Sequence, residues 1–485
     1  MERLQMESDR RGRWIEVDNP ATGEIIQRIP EATIDDAKRI IDEASAATKI
    51  AETLPAYKRA KLLTSVASMM AERSAEFAHT ITLEAGKPIR DSEVEVTRAI
   101  GVFTFAAEES KRIYGEVFPA DAFEYPPKSE NRLIFSQREP IGVVVAIGPF
   151  NFPLNLLAHK IAPALAAGNT VITKPTSETP LTSLLLRDVI EKAGWPKGIF
   201  NVIVGPGSSI GNELIENPKT DLITFTGSTE VGLDIAGRAA RLGKKTILEM
   251  GGMDPFIVLD DANLDIASTA AIRGAFSYSG QVCTASKRFL VADSVAEEFV
   301  KSMREKMMKL NVGNPILVTT DVGPVINRAA VTRIDGIVKD AVSNGAELLE
   351  GGKPMTEGEF AKGSYYAPTL LDNVKSDMRV GQEEPFAPLA PIFRVSSEEE
   401  AIDVANSTKY GLQASIFTRN IAKALKMARR IKAGAVLIDD PTNLRWDNAP
   451  FGGVKKSGMG REGVRFAIQE MTESKLIDIN LENAS

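Results

Sequence analysis

The chain has 485 residues, 43% of them hydrophobic and 25% charged, with a formal net charge of −7. That length suggests two or three domains with well-buried cores, and the acidic balance argues against a nucleic-acid backbone as partner. No run approaches the roughly 18 uninterrupted apolar residues of a membrane span, and Met1–Glu7 lacks the apolar stretch of a signal peptide. The expectation is a cytoplasmic protein with no membrane partner. A single cysteine, Cys283, fits a reducing compartment. Only two histidines, His79 and His159, leave too few ligands for a usual zinc site, so no metal is expected.

Thr33-Ile34-Asp35-Asp36 has nearly the form of a capping box before a helix through Ala47. A second helix is expected over Lys58–Ala85, stopped by Gly86 and Pro88, and a third over Ser92–Ser110. Phe118–Glu130 is rich in proline and charge and leads to a strand, Arg132–Gln137. From Gly142 strands and helices alternate. Strands are expected at Gly142–Ile147, Thr170–Thr173, Phe200–Val204, Leu222–Thr226 and Thr246–Leu248. Helices are expected near Asn155–Ala167, up to Gly194, near Ser208–Glu216 and at Glu230–Arg241. Apolar strands separated by helices predict a mostly parallel sheet. A second α/β unit follows. Its strands are Pro255–Leu259, Arg288–Ala292, Ala414–Thr418 and Ala435–Ile438, and its helices Val295–Leu310, Ala329–Asn344 and Ile421–Ile431. His79 falls in a helical pattern and reads as structural. The last strand, Lys475–Leu481, has nothing after it to pair with and reads as completing a neighbouring sheet.

Cys283 lies in Ser279-Gly280-Gln281-Val282-Cys283-Thr284, a turn-like stretch that suits a nucleophile, although most free cysteines are small buried hydrophobes. With so few histidines, a carboxylate or lysine is the expected source of a base. Three segments suit a cofactor. Gly205-Pro206-Gly207-Ser208-Ser209-Ile210-Gly211 follows a strand, but its spacing departs from the dinucleotide fingerprint and suits a plain tight turn equally well. Phe225-Thr226-Gly227-Ser228-Thr229-Glu230-Val231-Gly232 joins a strand to a helix whose first turn offers free N–H groups, or is an ordinary capped helix. Thr173-Lys174-Pro175-Thr176-Ser177 closes a strand where open α/β sheets bind ligands.

Taken in order, these segments resemble the aldehyde dehydrogenase superfamily nearly end to end. The likeness includes Asn19-Pro20-Ala21-Thr22-Gly23-Glu24, Gly148-Pro149-Phe150-Asn151-Phe152-Pro153, Thr173-Lys174-Pro175, Leu248-Glu249-Met250-Gly251-Gly252, Gly280-Gln281-Val282-Cys283, Glu383-Glu384-Pro385-Phe386 and Pro450-Phe451-Gly452-Gly453. The resemblance implies an α/β fold of the aldehyde dehydrogenase type. A Rossmann-like cofactor domain (1–117 and 140–249) would stand beside an α/β catalytic domain (250–465). A small β oligomerisation ribbon (118–139 and 466–485) would join a homodimer or homotetramer.

The resemblance further implies Cys283 as nucleophile, Asn151 as an oxyanion donor and Glu249 as the base that activates the deacylating water. Cofactor contacts would come from Ile147, Pro149, Lys174, Thr176, Ser177, Gly207, Gly227, Ser228, Val231, Glu384 and Phe386. Ser177 stands where NAD-preferring members often carry glutamate, and a hydroxyl can donate to a 2′-phosphate that a carboxylate would repel. NADP is therefore the expected cofactor, with NAD possible and Glu178 one position away. His159, Gln281, Asn443 and Arg445 would line a tunnel for a small aldehyde of the glyceraldehyde or lactaldehyde type, oxidised to its acid. Succinate semialdehyde or glyceraldehyde 3-phosphate are alternatives, Arg445 suiting either anion, as is a surface-loop role for Arg445. A coenzyme-A-acylating enzyme and a non-catalytic binding protein on the same scaffold are further readings. The retained Glu249 argues against the first, and the joint presence of Cys283, Glu249 and Asn151 against the second.

Overall fold

The computed structural model describes residues 13–483. An antiparallel pair, Trp14–Asp18 with Ile25–Pro30, leads to the helix Ile34–Thr53. The capping box forms: the Thr33 hydroxyl accepts the Asp36 N–H at 3.2 Å, and the Asp36 carboxylate accepts the Thr33 N–H at 3.0 Å. The long helix expected over 58–85 is two helices, Ala56–Glu72 and Ser74–Ala85. Arg73 leaves helical dihedrals between them, and its guanidinium pairs with Glu76 and Asp188. The apolar spacing runs on across the break with no glycine or proline to mark it. The following helix, Ile89–Glu109, starts just after Pro88, earlier than expected.

The first large sheet has six strands in the order Gly458–Met459, Lys245–Glu249, Leu222–Thr226, Val143–Ile147, Thr170–Lys174, Phe200–Val202. Its five longer strands are parallel; Gly458–Met459 runs antiparallel, pairing Gly458 with Glu249. Every residue of Thr170–Lys174 and Leu222–Thr226 is buried, as strands covered on both faces require. So is every residue of the helix Asn155–Ala167, including His159 and Lys160. The helix expected at 208–216 begins as a wide π turn over Gly207–Gly211.

The second sheet has seven strands in the order Glu347–Glu350, Thr369–Asp372, Leu389–Val395, Ser286–Ala292, Asp254–Val258, Gln413–Phe417, Ala435–Ile438. All but the first are parallel. The first three are unmarked in the sequence reading. The α/β expectation holds for both sheets.

A third, three-stranded sheet is made by Thr472–Asn480, Arg132–Pro140 and Val117–Phe118. The last strand therefore pairs antiparallel with a strand of its own chain, from Thr472 opposite Pro140 to Asn480 opposite Arg132. Its isolation is apparent only in the linear sequence, because its partner lies far upstream. Val117, Phe123, Tyr125 and Leu476 of this region stand exposed.

Candidate active site

Cys283 sits where the two large sheets meet, between the helix Leu264–Phe276 and the strand Ser286–Ala292. The turn before it is left-handed at three successive residues, with φ 46° at Tyr278, 55° at Ser279 and 68° at Gly280. For a residue with a Cβ this conformation costs roughly 1–2 kcal/mol. Contacts on every side hold it. The Tyr278 hydroxyl donates to the Ala85 carbonyl at 2.8 Å, and the Tyr278 ring lies 4.6 Å from the Lys87 ammonium. The Asp91 carboxylate accepts the Tyr278 backbone N–H. The Ser279 hydroxyl donates to the Gly323 carbonyl at 2.7 Å. Gly280 packs so closely on Ala387 that a Cβ would overlap its carbonyl. Lys87 is fully buried and ion-paired with Glu95. Glu95 Oε1 also accepts the N–H groups of Leu154 and Asn155, at 2.9 and 3.0 Å. One buried ion pair thus braces the nucleophile turn and the loop carrying Asn151 together.

Asn151 is buried and its Nδ2 donates to the Gln281 carbonyl at 2.9 Å, two residues before Cys283. That bond uses one amide hydrogen and leaves the other for a ligand oxygen. Glu249 ends its strand buried, and neither of its carboxylate oxygens has a hydrogen-bond partner. Burial, with Glu462 beside it, holds its pKa well above the ordinary 4.5, against the pull of Arg445, Lys160 and Arg461. Burial also pushes the Cys283 thiol up to about 12; Lys287 opposes this, while Glu384, Asp254 and Glu249 add to it. Burial thus favours the neutral form of both groups.

Behind them lies a buried ionic network that the sequence does not announce. Lys160 Nζ is 2.5 Å from Glu462 Oε1, and Arg445 donates to Glu462 Oε2 at 3.1 Å. Arg98 grips Asp447 through two bonds, at 2.7 and 3.1 Å. His159 Nε2 lies 2.9 Å from Asp447 Oδ1. Burial holds His159 down to about 4, with the Arg445 charge contributing. A lysine inside an otherwise apolar helix is the one available hint, since a buried cation needs a buried anion; nothing marks Glu462 or Asp447 as its relatives in space.

The four expected substrate residues fare differently. Gln281 is spent on backbone: its Oε1 accepts the Ile326 N–H at 2.8 Å and its Nε2 reaches the carbonyls of Tyr278 and Pro324, so it shapes the loop rather than a tunnel wall. Arg445 is no surface residue: its side chain is 6% exposed and stacks 3.8 Å over the Phe451 ring. It shares the Glu462 carboxylate with Lys160, and its Nε is buried without a hydrogen-bond partner. Asn443 Nδ2 donates to the Arg273 carbonyl at 3.1 Å, leaving its Oδ1 unpartnered; His159 Nδ1 is likewise buried and unpartnered. His79, read as structural, sits exposed on its helix.

The expected cofactor residues gather on the carboxyl edge of the six-stranded sheet. Ile147, Lys174 and Thr226 end adjacent parallel strands, with Pro149, Thr176, Ser177 and Gly227 in the loops beyond them and Gly207 opening the π turn after Phe200–Val202. Ser228 caps the helix Thr229–Arg241 by accepting the Val231 N–H, and Val231 lies exposed on the first turn. Strand order reverses around Val143–Ile147, the switch point at which such sheets bind ligands. Lys174 is buried, with a single long bond of 3.3 Å to the Pro175 carbonyl. The Thr176 hydroxyl donates to the Glu178 carboxylate. Across the crevice, Glu384 Oε1 accepts the Gly252 N–H at 3.1 Å and lies 3.1 Å from Lys287 Nζ, leaving Oε2 open. Phe386 takes φ 46° and packs edge-on against Phe150, centroids 5.7 Å apart. An underbonded buried lysine, a capped helix end and a half-free carboxylate fit a dinucleotide's phosphate and ribose groups.

The family model for the aldehyde dehydrogenase family matches residues 6–477. A lactaldehyde dehydrogenase of Methanocaldococcus jannaschii is 44% identical over 97% of this chain and 99% of its own. A 3-sulfolactaldehyde dehydrogenase of Priestia aryabhattai is 41% identical over 96% and 95%. The crystal structure of glyceraldehyde-3-phosphate dehydrogenase GapN from Methanocaldococcus jannaschii, complexed with NADP, superposes with a TM-score of 0.91 at 43% identity, covering 96% of this chain and 99% of that one. With the fold, the junction site and these likenesses in agreement, the chain belongs to the aldehyde dehydrogenase family.

Proposed function

We propose that this protein oxidises a small hydroxyaldehyde of the lactaldehyde or glyceraldehyde type to its carboxylic acid, with NADP as cofactor. The carrying observation is the convergence of one thiol, one half-free buried amide and one unpartnered buried carboxylate at the junction of the two sheets. On this reading the six-stranded unit holds the cofactor and the seven-stranded unit presents the nucleophile. Lys174, Thr176 and Ser177 would meet the adenosine side, Gly207, Gly227, Ser228 and Val231 the phosphates, and Glu384 and Phe386 the nicotinamide ribose and ring. The bound dinucleotide supplies hydride acceptance.

Once the Cys283 thiol has given its proton to solvent, the thiolate Sγ attacks the aldehyde carbon, and the Asn151 amide and the Cys283 backbone N–H steady the resulting oxyanion. Losing one such donor costs about 3–4 kcal/mol of transition-state stabilisation. Oxidation leaves an acyl thioester on Cys283. Glu249 then takes a proton from water, which attacks the thioester and releases the acid and the thiol. Burial favours the protonated form of Glu249, so it must give its proton to solvent before it can act as a base. Deacylation therefore quickens as pH rises.

The named relatives act on short aldehydes carrying a second polar group, and unpartnered His159 Nδ1 and Asn443 Oδ1 offer polar contacts for one. The exposed apolar residues of the three-stranded sheet support a homodimer or homotetramer, and the lone free thiol supports a cytoplasmic setting. Among the described residues no helix is long and apolar enough to cross a membrane.

The test is stopped-flow turnover with lactaldehyde and glyceraldehyde. Cys283→Ala abolishes reduced-nicotinamide formation. Glu249→Gln gives one burst per site and then stalls, with the acyl group found by mass spectrometry on Cys283. Undiminished steady-state turnover in Glu249→Gln overturns the assignment.

A further inference from the structure

Four residues beyond the thiol, Lys287 occupies a place that the reaction outlined above leaves unexplained. Its side chain is 3% exposed, although it carries a full positive charge. Its ammonium donates to the carbonyl oxygen of Cys283 itself, and it lies 3.1 Å from Glu384 Oε1. Burying a cation costs heavily unless it is paired and hydrogen-bonded, and here both partners belong to the functional site. The same Glu384 oxygen also accepts the Gly252 N–H. Lys287 and that N–H together anchor one carboxylate oxygen and leave the other facing the crevice.

The charges around the thiol are otherwise unfavourable to a thiolate. Glu384 from the loop across the crevice and Asp254, first residue of the strand beside Ser286–Ala292, oppose ionisation, and Glu249 adds to this when it is itself ionised. Lys287 is the cation that acts against them. Asp254 is itself buried with both carboxylate oxygens lacking a hydrogen-bond partner, and Lys287 is the charge that most favours its ionised form.

We infer that Lys287 is a positioning residue with two tasks: it holds Glu384 in the orientation that receives the cofactor ribose, and it supplies the positive charge that lets Cys283 ionise. This rests on the assignment of Cys283 as nucleophile and Glu384 as ribose ligand. A single side chain would then join the cofactor side of the crevice to the nucleophile. A ribose hydroxyl on the free Glu384 oxygen draws on that carboxylate's charge and leaves more of the Lys287 charge for the sulfur.

The chain contains one thiol, so its ionisation can be read without cofactor or turnover. Iodoacetamide alkylation of the cofactor-free, full-length protein is followed by mass at pH 8.5. An opposite charge within a few ångströms moves a pKa by about one unit or more, so Lys287→Met slows alkylation roughly tenfold. Lys287→Arg keeps the rate within about twofold, since the charge survives. Glu384→Gln removes an opposing charge and speeds alkylation. A purely structural lysine would shift both non-conservative variants in the same direction. Lys287→Met also weakens NADP binding, measured by titration calorimetry. An alkylation rate in Lys287→Met equal to that of the unaltered protein overturns the inference, as does slowing in Glu384→Gln. If Lys287→Met does not fold, Lys287→Gln replaces it, with the same slowing expected and an unchanged rate overturning the inference. Turnover surviving in Cys283→Ser would instead overturn the nucleophile assignment, while leaving the alkylation rates to speak for Lys287.

Discussion

Replacing His159 with asparagine gives a prediction whose size follows from the buried network. His159 is fully buried and folding lowers its pKa from 6.5 to about 4. Burial and the Arg445 guanidinium disfavour the imidazolium more than Asp447 favours it. The folded protein therefore binds fewer protons at this site than the unfolded chain, and stability rises with pH across that interval. The contribution is complete above pH 6.5 and is lost as pH falls toward 4. At about 1.4 kcal/mol per pKa unit, the loss from this one ring is about 3 kcal/mol. His159→Asn carries no such titration. At pH 7 the variant is the less stable protein, because it loses packing and the contact with Asp447. Between pH 6.5 and 4.5 the gap in unfolding free energy should close by about 2–3 kcal/mol. Chemical denaturation of both proteins across that interval, at fixed protein concentration, is the assay. A constant gap across those pH values would refute the reasoning, because it would mean that the imidazole is charged in the fold or titrates equally in both states.

Gly280→Ala should be far more damaging than an ordinary surface substitution. Gly280 has φ 68°, where a Cβ costs roughly 1–2 kcal/mol, and that Cβ would also meet the Ala387 carbonyl. A fall in kcat of at least about a hundredfold is expected from a displaced nucleophile, in keeping with the sensitivity of such geometry; near-normal kcat would contradict it. Glu178→Gln should raise the ratio of kcat/KM with NADP to that with NAD. The Glu178 carboxylate sits against the Thr176 hydroxyl, where it opposes a 2′-phosphate. An unchanged ratio would remove Glu178 from cofactor selection. Glu249 predicts a pH effect of opposite sign to that of His159. Its raised folded pKa gives stability that is fully present below pH 4.5 and lost as pH rises through the folded value. Glu249→Gln should therefore gain in relative thermal stability as pH rises above 4.5.

How much was legible in advance differs by kind of feature. The helix Asn155–Ala167 and the strands Leu222–Thr226 and Ala435–Ile438 lie where the sequence places them, because their apolar spacing and terminal glycines act locally. The break at Arg73 was not legible, since it is made by Glu76 and Asp188 across a packing boundary. The strands Thr369–Asp372 and Leu389–Val395 carry no local mark: they pair with each other, and only Leu389–Val395 pairs with Ser286–Ala292, distant in sequence. Local pattern alone marks Cys283 only as a candidate; its role and those of Asn151 and Glu249 come from the resemblance to the aldehyde dehydrogenase superfamily.

Sequence alone determined the alternation of strand and helix, the lone thiol and the shortage of histidine. These follow from residue type and near-neighbour spacing. Tertiary structure alone decided that Arg445 answers to Glu462, that Gln281 serves backbone rather than substrate, and that Lys287 lies buried between Glu384 and the nucleophile's own carbonyl. Charge pairing inside a low-dielectric interior depends on which distant segments are brought together, and nothing in a linear run of residues encodes that distance.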